Sequence, residues 1–276
     1  MISVILSIFA IAAPLLLITL GALASEYAGR LAMFMEHVIN LGAFFCYAFT
    51  LATGSLVAGM LLSVTLCTLC VVALEKTAAR AQANMFLVSL AMNLLFAALT
   101  TFFSALAFKT RGVLYSDSFR FDASATRLCT SLVCYALAAV LIFFLHGTTA
   151  GLALRVTGSD SDMLTARGIN AAFYRTLSWA VAAAAGAMAG CVLTARLSAF
   201  VPGVSSGRGW TALAAVFLGR KRPLVVAGAV LVFALAEYAS TTIQNLPVFA
   251  AVPSSLLLAL PYLLSLLLLV LVPQKK

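Results

Sequence analysis

Glu36, His37 and Asn40 are the residues of this 276-residue chain best placed to do chemistry in apolar surroundings. If their segment is helical, Glu36 and Asn40 stand one turn apart and His37 flanks the same face, giving a polar stripe. At membrane depth such groups are expensive and face a bundle interior or an aqueous path, so the stripe fits a translocation path and interhelical hydrogen bonding equally. Other constellations carry less. Cys67 and Cys70 form a C-x-x-C inside LLSVTLCTLCVVAL with neither histidine nearby, which reads as packing rather than a metal or redox site. The six cysteines all lie in or at the edge of apolar segments and imply no disulfide framework. There is no G-x-x-x-x-G-K-[ST], indeed no Gly-Lys pair, so the usual phosphate cradle is missing and any ATP must be handled by another chain. The sparse carboxylates and two histidines show no convergent nucleophile, metal or acid–base spacing, so an embedded enzyme is disfavoured.

The elements that position these groups must be membrane helices. A chain that is 64% hydrophobic and 9% charged, with a mean hydropathy of +1.13, cannot cover itself with a polar skin. The expected fold is an all-α polytopic transmembrane bundle of about 8–9 spans, forming a single domain over residues 1–276. Met1 to Ala24 reads as a retained first span, because it lacks a basic n-region. A second span carries the polar stripe, a third runs to Leu74, and EKTAARAQAN follows as a loop. MFLVSLAMNLLFAALTTFF, Leu128 to Leu145, Ser178 to Thr194, Pro223 to Tyr238 and Ser254 to Val272 supply further spans. Gly186-x-x-x-Gly190 gives the alanine-rich one a small face for close packing. Lys109 to Arg127 reads as a solvated external loop able to meet a delivery protein.

Two stretches break this pattern. RVTGSDSDMLTARGINAAFYRT, Arg155 to Thr176, is the longest polar passage and has the layout of a short docked helix: Gly158 to end the incoming helix, Ser159, Asp160 or Ser161 to cap a new one, Gly168 to stop it. Between Arg208 and Arg220, only Thr211 to Leu218 is continuously apolar, far short of the roughly 20 residues of a spanning helix. A short or broken helix is expected there, with polar backbone facing protein or water. Trp210 at its start suits either stacking on a ring or interfacial anchoring. With the N-terminus outside and the short segment counted as a crossing, 11 of the 17 Lys and Arg fall inside and 6 outside. That asymmetry favours this orientation, and explains the net charge of +9 without nucleic acid.

The motifs carry a resemblance. Glu26, Gly29, Glu36 and Gly42-Ala43-Phe44 are similar to the S-E-R-x-G, L-E-G and G-A-F pattern of ABC-importer permeases of the nucleoside (basic-membrane-protein-type) and simple-sugar family. Gln82 with Ala91-Met92-Asn93-Leu94-Leu95, FALAE at Phe233 to Glu237, and Leu260-Pro261-Tyr262-Leu263-Leu264 fit as well. GRGWTALAAVFLGRKRP matches G-x-G-W-x-A-L-A-x-x-x-F-G-R-x-x-P most closely. Gly158, Asp162 in place of the usual Glu, and Gly168-Ile169-Asn170 resemble the family's cytoplasmic coupling loop.

What the resemblance implies is a permease subunit, not an enzyme, in a bacterial inner membrane. Its translocation path would include Glu36, Asn93, Trp210 and Glu237, and residues 155–176 would be pushed by a separate ATP-binding ABC subunit, through Gly158, Asp162 and Gly168. ATP and Mg would sit on that ATPase, with no cofactor or metal in this chain. The other implied partners are a second permease subunit, identical or not, and a substrate-binding lipoprotein or periplasmic protein. The implied solute is a nucleoside; His37, Arg30 and Ala32 depart from the second-helix motif and suggest a shift, riboflavin first, with simple sugars third. The competing class is an ion-coupled secondary transporter, for which Glu36, His37 and Glu237 would be the ionisable groups.

Overall fold

A computed structural model describes residues 2–244, together with Leu263 and Leu267. The helices are α1 (Ile2–Tyr27), α2 (Met35–Thr53), α3 (Leu56–Arg80), α4 (Met85–Phe108), α5 (Ala123–Gly147), α6 (Thr149–Ser159), α7 (Ser161–Ala166), α8 (Ala171–Leu197), α9 (Arg208–Leu218) and α10 (Pro223–Gln244). Seven of them, α1 to α5, α8 and α10, are long and apolar enough to cross a membrane, and α9 is the short apolar helix. The all-α polytopic bundle expected from composition is therefore present. The expected last span, Ser254 to Val272, lies outside the described residues apart from Leu263 and Leu267.

Local chemistry sets the boundaries. Asn84, Asp122, Thr148, Asp160 and Asn170 each use a side-chain oxygen to accept backbone N–H groups at the start of α4, α5, α6, α7 and α8. The Ser124 hydroxyl and two backbone N–H groups hold the Asp122 carboxyl below its ordinary range. In one place the sequence-based boundary fails: α3 runs on through Glu75 to Arg80 instead of stopping at Leu74. Ala, Lys and Arg in that stretch are good helix formers, and Glu75 is only 1% exposed, tied into the bundle.

The bundle is organised around α1, α2 and α8, the most deeply buried helices. Among apolar chains in lipid, close van der Waals packing replaces the hydrophobic drive, so small residues mark the seams. Gly190 meets α2 so tightly that a Cβ would overlap the Ile39 carbonyl oxygen, and one on Gly42 would lie 2.6 Å from the Ala187 Cα. The small-residue face predicted at Gly186 and Gly190 is thus the α2–α8 seam. Trp179 is fully buried there, edge-on to Phe34, and its indole N–H donates to the Arg30 carbonyl at 2.9 Å.

At the other end of the bundle, the stretch expected as a solvated loop is half docked. Leu114 pairs with Phe200 in an isolated antiparallel bridge, and Phe119, on a one-turn 3-10 helix at Asp117–Phe119, is buried against Tyr47. Its charged residues, Lys109 and Arg111 among them, stay exposed.

Candidate translocation site

The chain between α8 and α9 is the irregular piece on which the site is built. Residues 198–207 descend from the Leu114–Phe200 end into the bundle, with Ser198, Gly203, Ser206 and Gly207 at positive φ. α9 then completes the traverse: its trailing residue Lys221 pairs with Glu26 at 2.9 Å, and its carbonyl accepts the Tyr27 hydroxyl at 2.5 Å, at the far end of α1. The short segment crosses the bundle rather than turning back.

Glu36 fastens the start of α9. One carboxylate oxygen accepts from the Ser205 hydroxyl at 2.5 Å and the Gly207 N–H at 2.7 Å, and the other accepts from the Gly209 N–H at 2.8 Å. Asn40 completes the clasp, donating to the Ser205 hydroxyl oxygen at 2.8 Å and accepting its N–H at 3.1 Å. A negative carboxylate at the N-terminus of a short helix is favoured by the free N–H groups and the helix dipole. Glu36 is 7% exposed, a buried peg that holds the broken helix in register. Glu237 plays a related part: it forms an ion pair with Arg208, joining α10 to the first turn of α9. Trp210, in the same turn, is 41% exposed on the outer side of α9.

His37 and Asn93 meet directly. The Asn93 side-chain oxygen accepts the His37 backbone N–H at 3.1 Å and lies 3.0 Å from ring Nδ1. Because that oxygen serves the backbone donor, Nδ1 must carry a proton, and Nε2 is the ring nitrogen left without a protein partner here. His37 lines a half-open cavity of about 140 Å³ bounded by α2, α4 and the descending segment. Thr100, Thr101 and Ser104 of α4 also line it, with Asn40, Arg111 and the 200–203 backbone. Each of the three hydroxyls spends its proton on a carbonyl, of Phe96, Ala97 and Thr110 respectively, so each turns oxygen lone pairs to the space. The cavity is consequently rich in acceptors, with Arg111 as its charged donor, and suits a solute that offers many hydroxyl protons.

Of the four sequence-predicted pathway residues, none lines this cavity: Glu36 and Asn93 support residues that do, while Glu237 and Trp210 stand on the α9–α10 side. His37 and Asn40, read from the sequence as part of a polar stripe, do line it, whereas Thr100, Thr101, Ser104 and Arg111 were missed. The signal for α4 was present, since Ser89, Asn93, Thr100 and Ser104 repeat at spacings of four, seven and four on one helical face.

At the opposite end, Arg30 pairs with Glu75 at 2.5 Å, and Glu75 also accepts the Thr176 hydroxyl at 2.7 Å. Burial pushes the Arg30 guanidinium below its ordinary value, and Glu75 opposes the shift. Beside this cluster α7 forms the expected capped knob. Of the three candidate caps Asp160 serves, accepting from Asp162 and Met163 N–H at 3.2 and 3.1 Å. Asp162 and Met163 are exposed, Leu164 seats the knob, and Gly168 exits at φ +74. Gly158 does not end α6, which runs to Ser159. It is instead the point where α6 touches the end of α1, and a Cβ there would overlap the Tyr27 carbonyl oxygen.

Seven helices long and apolar enough to cross a membrane, with a broken one pegged by a buried carboxylate, make a multi-pass membrane protein, and the family match makes it a transport subunit. The chain belongs to the family described as branched-chain amino acid transport system / permease component, whose model matches residues 4–273. It is 32% identical over 139 residues to the guanosine ABC transporter permease protein NupQ of Bacillus subtilis, covering 50% of this chain and 44% of that one. The chain therefore spans less than half of that relative. Over 239 residues it is 28% identical to a protein of Haloferax volcanii named for glucose, the ABC transporter permease protein TsgC13, covering 77% of this chain and 69% of that one. Its fold is similar to that of PsaBC from Streptococcus pneumoniae, solved in complex with Fab, with a TM-score of 0.57 at 16% identity, covering 96% and 91% of the two chains. At that identity the likeness speaks for the fold alone.

Proposed function

We propose that this chain is the permease of a bacterial ABC importer and carries a nucleoside-like solute, a purine or pyrimidine nucleoside or riboflavin, across the inner membrane. The observation that carries the reading is the acceptor-rich cavity of His37, Thr100, Thr101 and Ser104, which matches the hydroxyl donors of a ribose or ribityl chain. The NupQ relative, named for guanosine, points the same way. Glu36 and Asn93 act from behind this cavity, and Trp210 and Glu237 flank the path where a second permease subunit, identical or not, closes it. ATP and Mg are bound by a separate ATPase that docks on residues 155–176, using Asp162 and Gly168 in the knob and Gly158 at its base. A binding lipoprotein or periplasmic protein delivers the solute from outside.

A simple sugar is the second reading, favoured by two observations: the cavity of about 140 Å³ matches a single sugar ring, and the match to the glucose-named relative is the longer one. The test is uptake of labelled guanosine by vesicles holding the complete transporter, with riboflavin, ribose and glucose as competitors. Saturable inward uptake blocked by nucleosides or riboflavin supports the proposal. Uptake blocked by glucose alone moves the solute to the sugar class, and ATP-dependent efflux overturns the direction.

A further inference from the structure

We propose that the groove between the ends of α3 and α8 is a binding site for the headgroup of an anionic phospholipid. The groove encloses a cavity of about 600 Å³ at the Arg30 end of the bundle. Arg30, Lys76 and Arg80 line it. The carboxylate in the groove, Glu75, is already engaged by Arg30 and Thr176, whereas Lys76 and Arg80 are exposed with no acidic partner among the described residues. The groove thus keeps two unpaired cations one helical turn apart, a spacing that suits a phosphate.

Beside Asn170 and Thr176 the wall carries apolar Val72, Phe173 and Leu177, and Phe173 is 59% exposed. Along α3 the stripe continues from Lys76 through Leu69 and Leu62, at seven-residue spacing, both with exposed side chains. From Lys76 to Leu62 is about 21 Å of helix, more than the ~15 Å of one leaflet's hydrocarbon, so the stripe is long enough to run beside a whole acyl chain. Cations at the bundle end followed by a long apolar stripe are the two halves of a phospholipid; a docking protein would meet the charges without needing the stripe. Basic grooves between membrane helices on a cytoplasmic side recognise anionic headgroups in this way. Nothing in the inference depends on which solute the permease carries.

The test is native mass spectrometry of the complete transporter extracted from bacterial membranes, together with thermal unfolding in vesicles of phosphatidylcholine with and without phosphatidylglycerol. One retained phosphatidylglycerol or cardiolipin per chain is expected, falling about thirtyfold in occupancy in the Lys76→Gln/Arg80→Gln variant. Phosphatidylglycerol should raise the melting temperature of the wild type and not of the variant, while in phosphatidylcholine alone the two melt together. Equal retention by wild type and variant overturns the proposal. So does displacement of the lipid by glycerol phosphate at matched concentration, which would make the groove a site for a free phosphate. Loss of the lipid whenever the ATPase is bound overturns it too, by assigning the cations to that subunit.

Discussion

Glu36 and His37 are neighbours in sequence, yet the structure gives them different work. Glu36 is saturated by one hydroxyl and two backbone N–H groups, and a Gln there would turn an amide donor against one of those donors. Leaving a buried donor unsatisfied costs about 1–3 kcal/mol. Glu36→Gln is therefore expected to lower the unfolding midpoint of the purified permease and to cut uptake with it; uptake lost at unchanged stability would return Glu36 to the aqueous path. For His37 the expectation is the reverse. In His37→Phe the backbone N–H still bonds Asn93, while the Nδ1–H bond to the Asn93 oxygen and the Nε2 acceptor on the cavity are both lost. The Asn93 oxygen keeps its backbone donor, so melting should fall only slightly, whereas losing one solute hydrogen bond of about 1–1.5 kcal/mol raises the KM for uptake roughly tenfold. A KM that does not move would remove His37 from the solute's surroundings.

At the scale of elements, Gly158 and Gly168 lie ten residues apart in one polar passage, and the sequence suggested the same helix-stopping role for both. They differ in what surrounds them. Gly158 is jammed against the end of α1, so Gly158→Val forces α6 away from Tyr27 and should reduce the amount of protein folded in the membrane. Gly168 has open space around it and φ +74, so Gly168→Val meets no clash and instead costs about 1–2 kcal/mol of backbone strain at the exit of α7. That variant is expected to insert and purify normally but to lose solute-stimulated ATP hydrolysis in the full complex. Wild-type coupling in it would separate the knob from the ATPase. The contrast also marks the limit of the sequence. Local capping chemistry announced α7, and eight apolar residues between glycines announced a broken helix, because both are encoded within a few residues. The contact of Gly158 with Tyr27, the docking of Leu114 and Phe119, and the tie of Glu75 to Arg30 join residues 45 to 131 positions apart and leave no periodic trace.

For the molecule as a whole, the charges divide by end. Arg30, Lys76, Arg80, Arg155, Arg167, Arg175, Arg220, Lys221 and Arg222 gather where α1, α3, α5 and α9 finish, and Lys109, Arg111, Arg120, Arg127 and Arg196 where they begin or α8 finishes. Nine against five, or nine against six with Arg208 at the start of α9, is the asymmetry expected if the first end is cytoplasmic, and the traverse of residues 198–218 keeps α10 on the same reckoning. On the proposed orientation the knob α7 faces the cytoplasm with Asp162, Met163 and Thr165 uncovered, 52% exposed at Met163. It is the place where the proposed ATPase is expected to reach the permease. In a cysteine-free background, which must also replace the exposed Cys129, a cysteine at Lys109 should react with an impermeant thiol reagent added to intact cells and one at Thr165 should not. In the assembled complex the Thr165 cysteine should crosslink to the ATPase and be shielded from reagent added to inverted vesicles. Labelling of position 165 from outside intact cells would invert the topology. Free labelling in inverted vesicles that carry the bound ATPase would leave the topology standing and take the coupling contact away from α7.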